Sequence, residues 1–313
     1  METNKFHEVR NRVFALYHQR RYGEALEVAE WAQARFPEQE GVIAFWTACL
    51  KCLVSDQKGA LQILEEALER GHWWGERWLL GDPDLALIRD HPRFRGIVEE
   101  CKRREQAVQA EAVPKLLVFP PEGKVEKPPL LIALHGAGGT AEGTLPYWAP
   151  ARQMGFLVAL PQSSQVVHEN GYGWGNVGLA KKELAAHWEQ LRRRHPFDPD
   201  RVVIAGASQG GKLAIELALA GEPIPAHGFV AVVPAIRDPE RPARNAGEAA
   251  ARGVHGWLLT GERDQFKPAV EELHTLLLQA GLRCELTVIS KLGHDFPGDF
   301  PTRLRQPLNF CLG

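Results

Sequence analysis

Residues 206–212, "GASQGGK", satisfy two chemical patterns at once. Read as G-x-x-x-x-G-K, the stretch is most of a phosphate-gripping loop, in which backbone N–H groups and a lysine hold an anion. Read as G-x-S-x-G, it is a turn that lifts a serine hydroxyl above a sheet as a nucleophile. Both patterns need a strand before and a helix after, and "VVIAGASQGGKLAIELALA" (202–220) has the composition of both. The residue after the lysine separates them. A phosphate loop places Ser or Thr there to hold Mg²⁺, and this chain has Leu213. A second glycine cluster, "GAGGTA" (136–141), fits the dinucleotide pattern G-x-G-x-x-A. Yet the next strand candidate ends Leu160-Pro161-Gln162, where that reading requires Asp or Glu. Nucleotide chemistry lacks its distinguishing residue in both places.

The serine reading finds partners instead. Downstream of Ser208, the apolar run "HGWLLTGERD" ends in Asp264, and the last strand candidate is followed by "KLGHDF", which carries His294. Nucleophile, acid and histidine therefore occur in that order, each just past a strand. His294 would take the Ser208 proton during attack and return it to the leaving group. Asp264 would accept the other ring N–H and fix the tautomer. A tetrahedral oxyanion needs rigid donors, and the backbone N–H groups of Ala137 (in "LHGAGG") and Gln209 stand where strand ends present them. Gly206 and Gly210 answer the steric demand of so tight a turn. Each residue has a plainer role to weigh. Asp264 could cap the helix that follows, Asp295 is a second acid but adjoins His294 in sequence, and His135 is better suited to ordering its own loop than to catalysis. Tyr147, Trp148, Tyr172 and Trp174, in "LPYWAP" and "ENGYGWGN", are candidates for a substrate pocket or for ordinary packing.

"GASQGG", "LHGAGGT" and "GHDFP" together resemble the α/β-hydrolase superfamily, across residues 111–313. The likeness is greatest to its carboxylesterase/phospholipase and acyl-thioesterase branch. Dienelactone hydrolases are neighbours, but they carry Cys where this chain has Ser208. The resemblance implies a mostly parallel sheet flanked by helices and a serine carboxylester hydrolase acting through an acyl-enzyme, with no cofactor. A thioesterase or serine peptidase would use the same triad. No His/Cys/carboxylate cluster has metal-ligand spacing.

The elements that must position these residues fall in two halves. From Val113 onward, short apolar runs at 115–119, 130–136, 155–161, 201–208, 228–234, 256–262 and 284–290 alternate with helical stretches such as 178–194, 210–220 and 268–280. Continuously apolar short strands between helices imply a parallel sheet covered on both faces. Residues 1–110 show helical rhythm only. "ALYHQRRYGEALEVAEWAQARFP" (15–37) resembles a tetratricopeptide repeat, and "KGALQILEEALERG" (58–71) repeats its second half at an offset of 35, with Ala25 matching Ala60 and Ala32 matching Ala67. Two such units fall short of a free-standing solenoid. "HWWGERWLL" (72–80) adds three tryptophans, so these helices are expected to present a surface to the other half, to a second copy of the chain or to a protein partner. Only about 20 residues join the strands at 228–234 and 256–262, too few for a cap domain. The site is therefore expected to be open unless the helical half covers it.

Composition excludes several classes. Lys+Arg is 37 against Asp+Glu 39, so no field favours nucleic acid or an anionic membrane. No apolar run approaches a membrane span, and the N-terminus lacks a leader's apolar region, which points to a cytoplasmic protein acting on a small ester or acyl substrate. Five cysteines do not make a disulfide framework, and the Cys49-x-x-Cys52 pair lies in an apolar helical run.

Overall fold

The computed structural model describes residues 2–313, which form two compact units. One comprises the described residues up to 111 with 167–169, and the other residues 112–166 with 170–313.

The first unit is helical: Glu2–His18, Tyr22–Gln33, Glu40–Leu53, Gln57–Glu69, Glu76–Gly81 and Pro92–Glu111. The small residues of the two matched stretches are its inner faces. Ala25, Ala29 and Ala32 are fully buried, as are Ala60, Leu64 and Ala67. Alanine at a helix contact lets neighbouring helices approach closely while costing no side-chain entropy. Asp56 caps the fourth of these helices by accepting the Gly59 N–H at 2.8 Å. Cys49 and Cys52 are buried on the third helix. Two of the three tryptophans of the 72–80 segment are buried, while Trp78 is half-buried and Leu80 exposed. Trp73 and Trp74 are buried, the Trp74 indole N–H donates to Gly41 O at 2.9 Å, and the Gly75 N–H donates to Val167 O at 3.0 Å. No helix among the described residues is long and apolar enough to cross a membrane.

The strands are β1 (Lys115–Phe119), β2 (Leu130–Leu134), β3 (Leu157–Gln162), β4 (Val166–His168), β5 (Gly171–Tyr172), β6 (Val202–Ala207), β7 (Gly228–Val232), β8 (His255–Gly261) and β9 (Arg283–Ile289), and all but β4, whose residues 167–168 are counted with the first unit, lie wholly in the second. Seven of them form one sheet in the order β1-β3-β2-β6-β7-β8-β9; only β1 runs antiparallel, against β3. The central strands β2, β3, β6 and β7 are buried at every position. Continuous Val/Ile/Leu/Ala runs follow from that, because helices cover both faces. One face packs Leu184, Trp188, Leu213 and Leu217 over Leu130, Ile132 and Ile204; the other packs Trp148, Phe300, Leu304 and Leu308 over Leu131, Val203 and Val230. All seven strand runs read from the sequence are present within two residues or so at each end. The short pair β4–β5 is not legible in the alternation. It is a tight reversal at Glu169-Asn170 in which Asn170 takes φ 54°, a left-handed conformation that asparagine tolerates better than most residues. Between β7 and β8 the chain holds only the short helices Glu240–Ala243 and Ala246–Ala251.

Candidate active site

Ser208 stands between β6 and the helix Gln209–Ala220, at φ 54° and ψ −119°. A non-glycine residue held there is strained, and the surroundings hold it by force of packing and hydrogen bonds. Its N–H donates to Val232 O at 2.9 Å, and its carbonyl accepts from Lys212 N–H (3.0 Å) and Ala235 N–H (3.1 Å). The flanking glycines are close-approach positions. A Cβ on Gly206 would lie 2.6 Å from Gly210 O, and one on Gly210 would collide with the carbonyl oxygens of Leu134 and His135. The turn carrying Ser208 is thereby pressed directly onto the end of β2.

From the other side, His294 brings Nε2 to 2.8 Å from Ser208 Oγ. Its Nδ1 lies 3.1 Å from both carboxylate oxygens of Asp264. The carboxylate accepts only, so Nδ1 carries the proton and Nε2 is left as an acceptor for the serine hydroxyl. Asp264 is fully buried, while the His294 side chain keeps 30% of its surface exposed. The Asp264 carboxylate also accepts the Phe266 N–H at 3.0 Å, and the Phe266 ring lies 5.2 Å from the imidazole. The expected helix cap is absent: the helix begins at Lys267 with Phe266 at its N-cap and no side-chain cap bond, so this carboxylate closes a local turn and orients the histidine. Asp295, the other acid, accepts its neighbour's N–H from Phe296 at 2.8 Å.

The loop after β2 is fixed with equal care. His135 is fully buried and its Nδ1–H donates to Gly136 O at 2.8 Å, while Nε2 accepts the Ser163 N–H at 3.3 Å. Burial pushes its pKa down to about 4, so the ring is neutral and this tautomer is locked. Gly136 lies against Ser208; a Cβ there would sit 3.6 Å from Ser208 Cβ. The N–H groups of Ala137 and Gln209 donate to no group among the described residues.

The pocket expectation needs correction at two of its four residues. Trp148 is fully buried in the core, edge-on to Phe300 at 5.1 Å and to Phe296 at 6.1 Å, and offers no wall to a ligand. Trp174 is 2% exposed; its ring stacks on His135 at 4.7 Å and its indole N–H donates to His135 O at 2.9 Å. In both cases a large ring on a helix end or loop beside the sheet buries more apolar surface inward than a pocket rim would allow. Tyr147, half-buried, stacks on Phe296 at 3.8 Å, two residues past His294. Tyr172, also half-buried, pairs through its backbone with Gly139.

Three contributors were not legible as site residues. Gly261 ends β8 where a Cβ would meet Gly293 O at 2.5 Å, so only glycine lets the histidine loop cross there. The Arg263 N–H then donates to Leu292 O at 2.9 Å. Glu262 accepts the Lys291 N–H (2.8 Å) and the Ser290 hydroxyl (3.1 Å), which hold its carboxyl below the usual range. Buried Glu183 accepts from the Ser164 hydroxyl and fixes the loop after β3 that carries the Ser163 N–H. "TGERD" could have flagged Gly261 as a strand-end glycine; Glu183 carries no signal in sequence beyond an acid on a helix's apolar face. As for metal ligands, Cys49, Asp82 and Asp84 of the helical unit bring ligand atoms within 4.8 Å of one another. There Tyr17 donates to Asp84 at 2.8 Å, and burial raises the pKa of the Cys49 thiol, which keeps its proton.

Comparison with known proteins places this architecture. A family model described as "A/B hydrolase-like, N-terminal domain" matches residues 5–109, about a third of the chain. Among solved structures, an uncharacterized protein from Bacillus cereus is similar over 98% of this chain and 99% of its own, with 23% identity and a TM-score of 0.55. Esterase PE8 matches 62% of this chain and 99% of its own (19% identity, TM-score 0.51), and S-formylglutathione hydrolase from Staphylococcus aureus 64% and 93% (15%, 0.51). No curated protein matches. The sheet order, the strand-end positions and these likenesses define the α/β-hydrolase fold.

Proposed function

We propose that this chain is a serine hydrolase of carboxylic esters, with Ser208 as nucleophile, His294 as general base and acid, and Asp264 as its orienting carboxylate. The observation that carries the reading is the unbroken hydrogen-bonded line from Ser208 Oγ through His294 to Asp264. Ser208 Oγ attacks the ester carbonyl as its proton passes to His294 Nε2. The imidazolium so formed faces the buried Asp264 carboxylate, which stabilises its charge without taking its proton. The oxyanion is received by the Ala137 and Gln209 N–H groups; one such donor is worth roughly 10² to 10³ in turnover elsewhere. Collapse expels the alkoxide, which leaves as alcohol with the proton from Nε2. Water, activated by the same nitrogen, then cleaves the acyl-enzyme and regenerates Ser208.

A panel of ester, thioester and peptide substrates, run on wild type and Ser208→Ala with a fluorophosphonate probe, tests this. Wild type should be labelled at Ser208 alone and hydrolyse esters; Ser208→Ala should lose labelling and turnover by on the order of 10⁶. Labelling at another serine sinks the assignment, and a preference for thioesters or peptides keeps the triad but moves the substrate class.

A further inference from the structure

Resting on that reading, we infer that Trp174 is a positioning residue that sets the spacing between the two oxyanion donors. The donors belong to separate segments: Ala137 to the loop after β2, Gln209 to the first turn of the helix after β6. Trp174 belongs to neither and is hydrogen-bonded to both. Its backbone N–H donates to Gln209 Oε1 at 2.8 Å, and its indole N–H donates to His135 O at 2.9 Å. Its ring lies on the His135 ring, 30° from parallel. Two residues upstream, the Tyr172 carbonyl accepts the Gly138 N–H at 2.8 Å and the Tyr172 N–H donates to Gly139 O at 3.1 Å. Segment 171–174 therefore splints the oxyanion loop along its length and ties it to the nucleophile's own helix.

The physical requirement is severe. Donors must meet the developing oxyanion at roughly 2.7–3.1 Å, and they must already be there, because reorganisation during the reaction cancels the gain. Misplacement by about 1 Å can cost on the order of 10² in rate. Trp174 is almost wholly removed from solvent, so water does not compete for its two N–H groups. The Gln209 side chain thus has a task separate from its backbone: its amide oxygen anchors the splint.

The test compares Trp174→Phe, which keeps an aromatic ring, though a smaller one, and the backbone N–H but removes the indole donor, with Gln209→Met, which keeps side-chain length and the backbone N–H but removes the acceptor. Activity is referred to active sites titrated with fluorophosphonate, and thermal denaturation is followed in parallel. Each variant should lose about 10- to 100-fold in kcat with KM within about two-fold. Its affinity for a trifluoromethyl ketone analogue of the tetrahedral intermediate should fall by the same factor. Because both substitutions cut one splint, the double variant should be far less impaired than the product of the singles. A merely structural role would lower the melting temperature and the titratable fraction but leave kcat per active site unchanged. Gln209 is only half-buried, so Gln209→Met decides the matter alone if Trp174→Phe fails to fold. Unchanged kcat per site and unchanged analogue affinity in Gln209→Met overturn the splint while the serine reading stands. An unlabelled, inactive wild type overturns both.

Discussion

The two sides of the site are built by opposite means. On the Ser208 side, positioning is steric: Gly206 and Gly210 allow contacts between backbones that any Cβ would block, and the strained Ser208 cannot relax without moving β2 or the helix. On the histidine side, positioning is polar. The loop from Ser290 to Asp299 is held by the Arg263 N–H on Leu292 O, by Glu262 on Lys291 and Ser290, and by Asp264 on His294 itself. Packed backbones have no alternative arrangement nearby. Hydrogen bonds at a partly exposed loop can be exchanged for water at little net cost. The Ser208 side should therefore fail in stability, and the histidine side in turnover.

The largest effect expected on this contrast is at Asp264. Asp264→Asn keeps the volume and can still accept the Phe266 N–H, but an amide presents a donor to His294 and favours the wrong tautomer. Turnover should fall on the order of 10⁴, as for the corresponding change in a serine protease, with the melting temperature little altered. A nearly silent Asp264→Asn would mean that another acid holds the histidine, with Asp295 the next to test. Gly210→Ala should do the reverse, lowering stability by about 1–3 kcal/mol or preventing folding, since the new methyl meets backbone oxygens that cannot move aside. Gly293→Ala, one residue before the histidine, meets nothing within 4 Å and should leave stability within about 0.5 kcal/mol. Equal losses at both glycines, by chemical denaturation, would erase the distinction.

This difference also explains what sequence could disclose. The steric side is legible because close approach demands glycine at fixed offsets around Ser208, and the demand shows in the residues themselves. Asp264 and His294 are legible from their order and from lying past strand ends. The pieces that bring them together are not. Gly261 works through a crossing with residues 292–293 that no local pattern predicts. Trp148 and Trp174 were ambiguous because an aromatic residue near a strand end has the same local context whether it points inward or outward. Trp148 is turned inward at the end of the helix Ala141–Trp148, and Trp174 by its loop's indole bond to His135 O. The parallel core is readable from its apolar runs, whereas β4–β5 depends on a reversal at Asn170 too short to produce a period.

Acid should act on the rigid side first. His135 is neutral in the folded protein, with its pKa pushed down to about 4 by burial, and His187 is shifted in the same direction for the same reason. An unfolded histidine titrates near 6.5, so between about pH 6.5 and 4 the unfolded chain binds more protons than the folded one. The stability present above that window is lost as pH falls through it. His135→Gln removes one of these protons, and its melting temperature should decline less steeply than that of wild type between about pH 6.5 and 5. Parallel declines would show that His135 does not titrate on unfolding as its burial requires.

The smallest expected effect lies on the polar side, at Glu262. This exposed carboxylate holds the turn at Lys291, a non-glycine residue at φ 61°, by accepting its N–H and the Ser290 hydroxyl. Neither bond touches Ser208, His294 or Asp264, and water can replace both in Glu262→Ala. The loop would still be held by the Arg263–Leu292 backbone bond and the crossing over Gly261. The histidine should therefore spend somewhat less time in line with Ser208, and kcat should fall about two- to three-fold, in keeping with the small worth of exposed charged contacts. High salt should leave the ratio of wild type to variant nearly unchanged if hydrogen-bond geometry carries the effect, and should shrink it if the charge itself does. A loss of a hundredfold or more would place this loop on the same footing as the turn at Ser208, and a single polar contact would then be as binding a constraint as the glycine contacts around it.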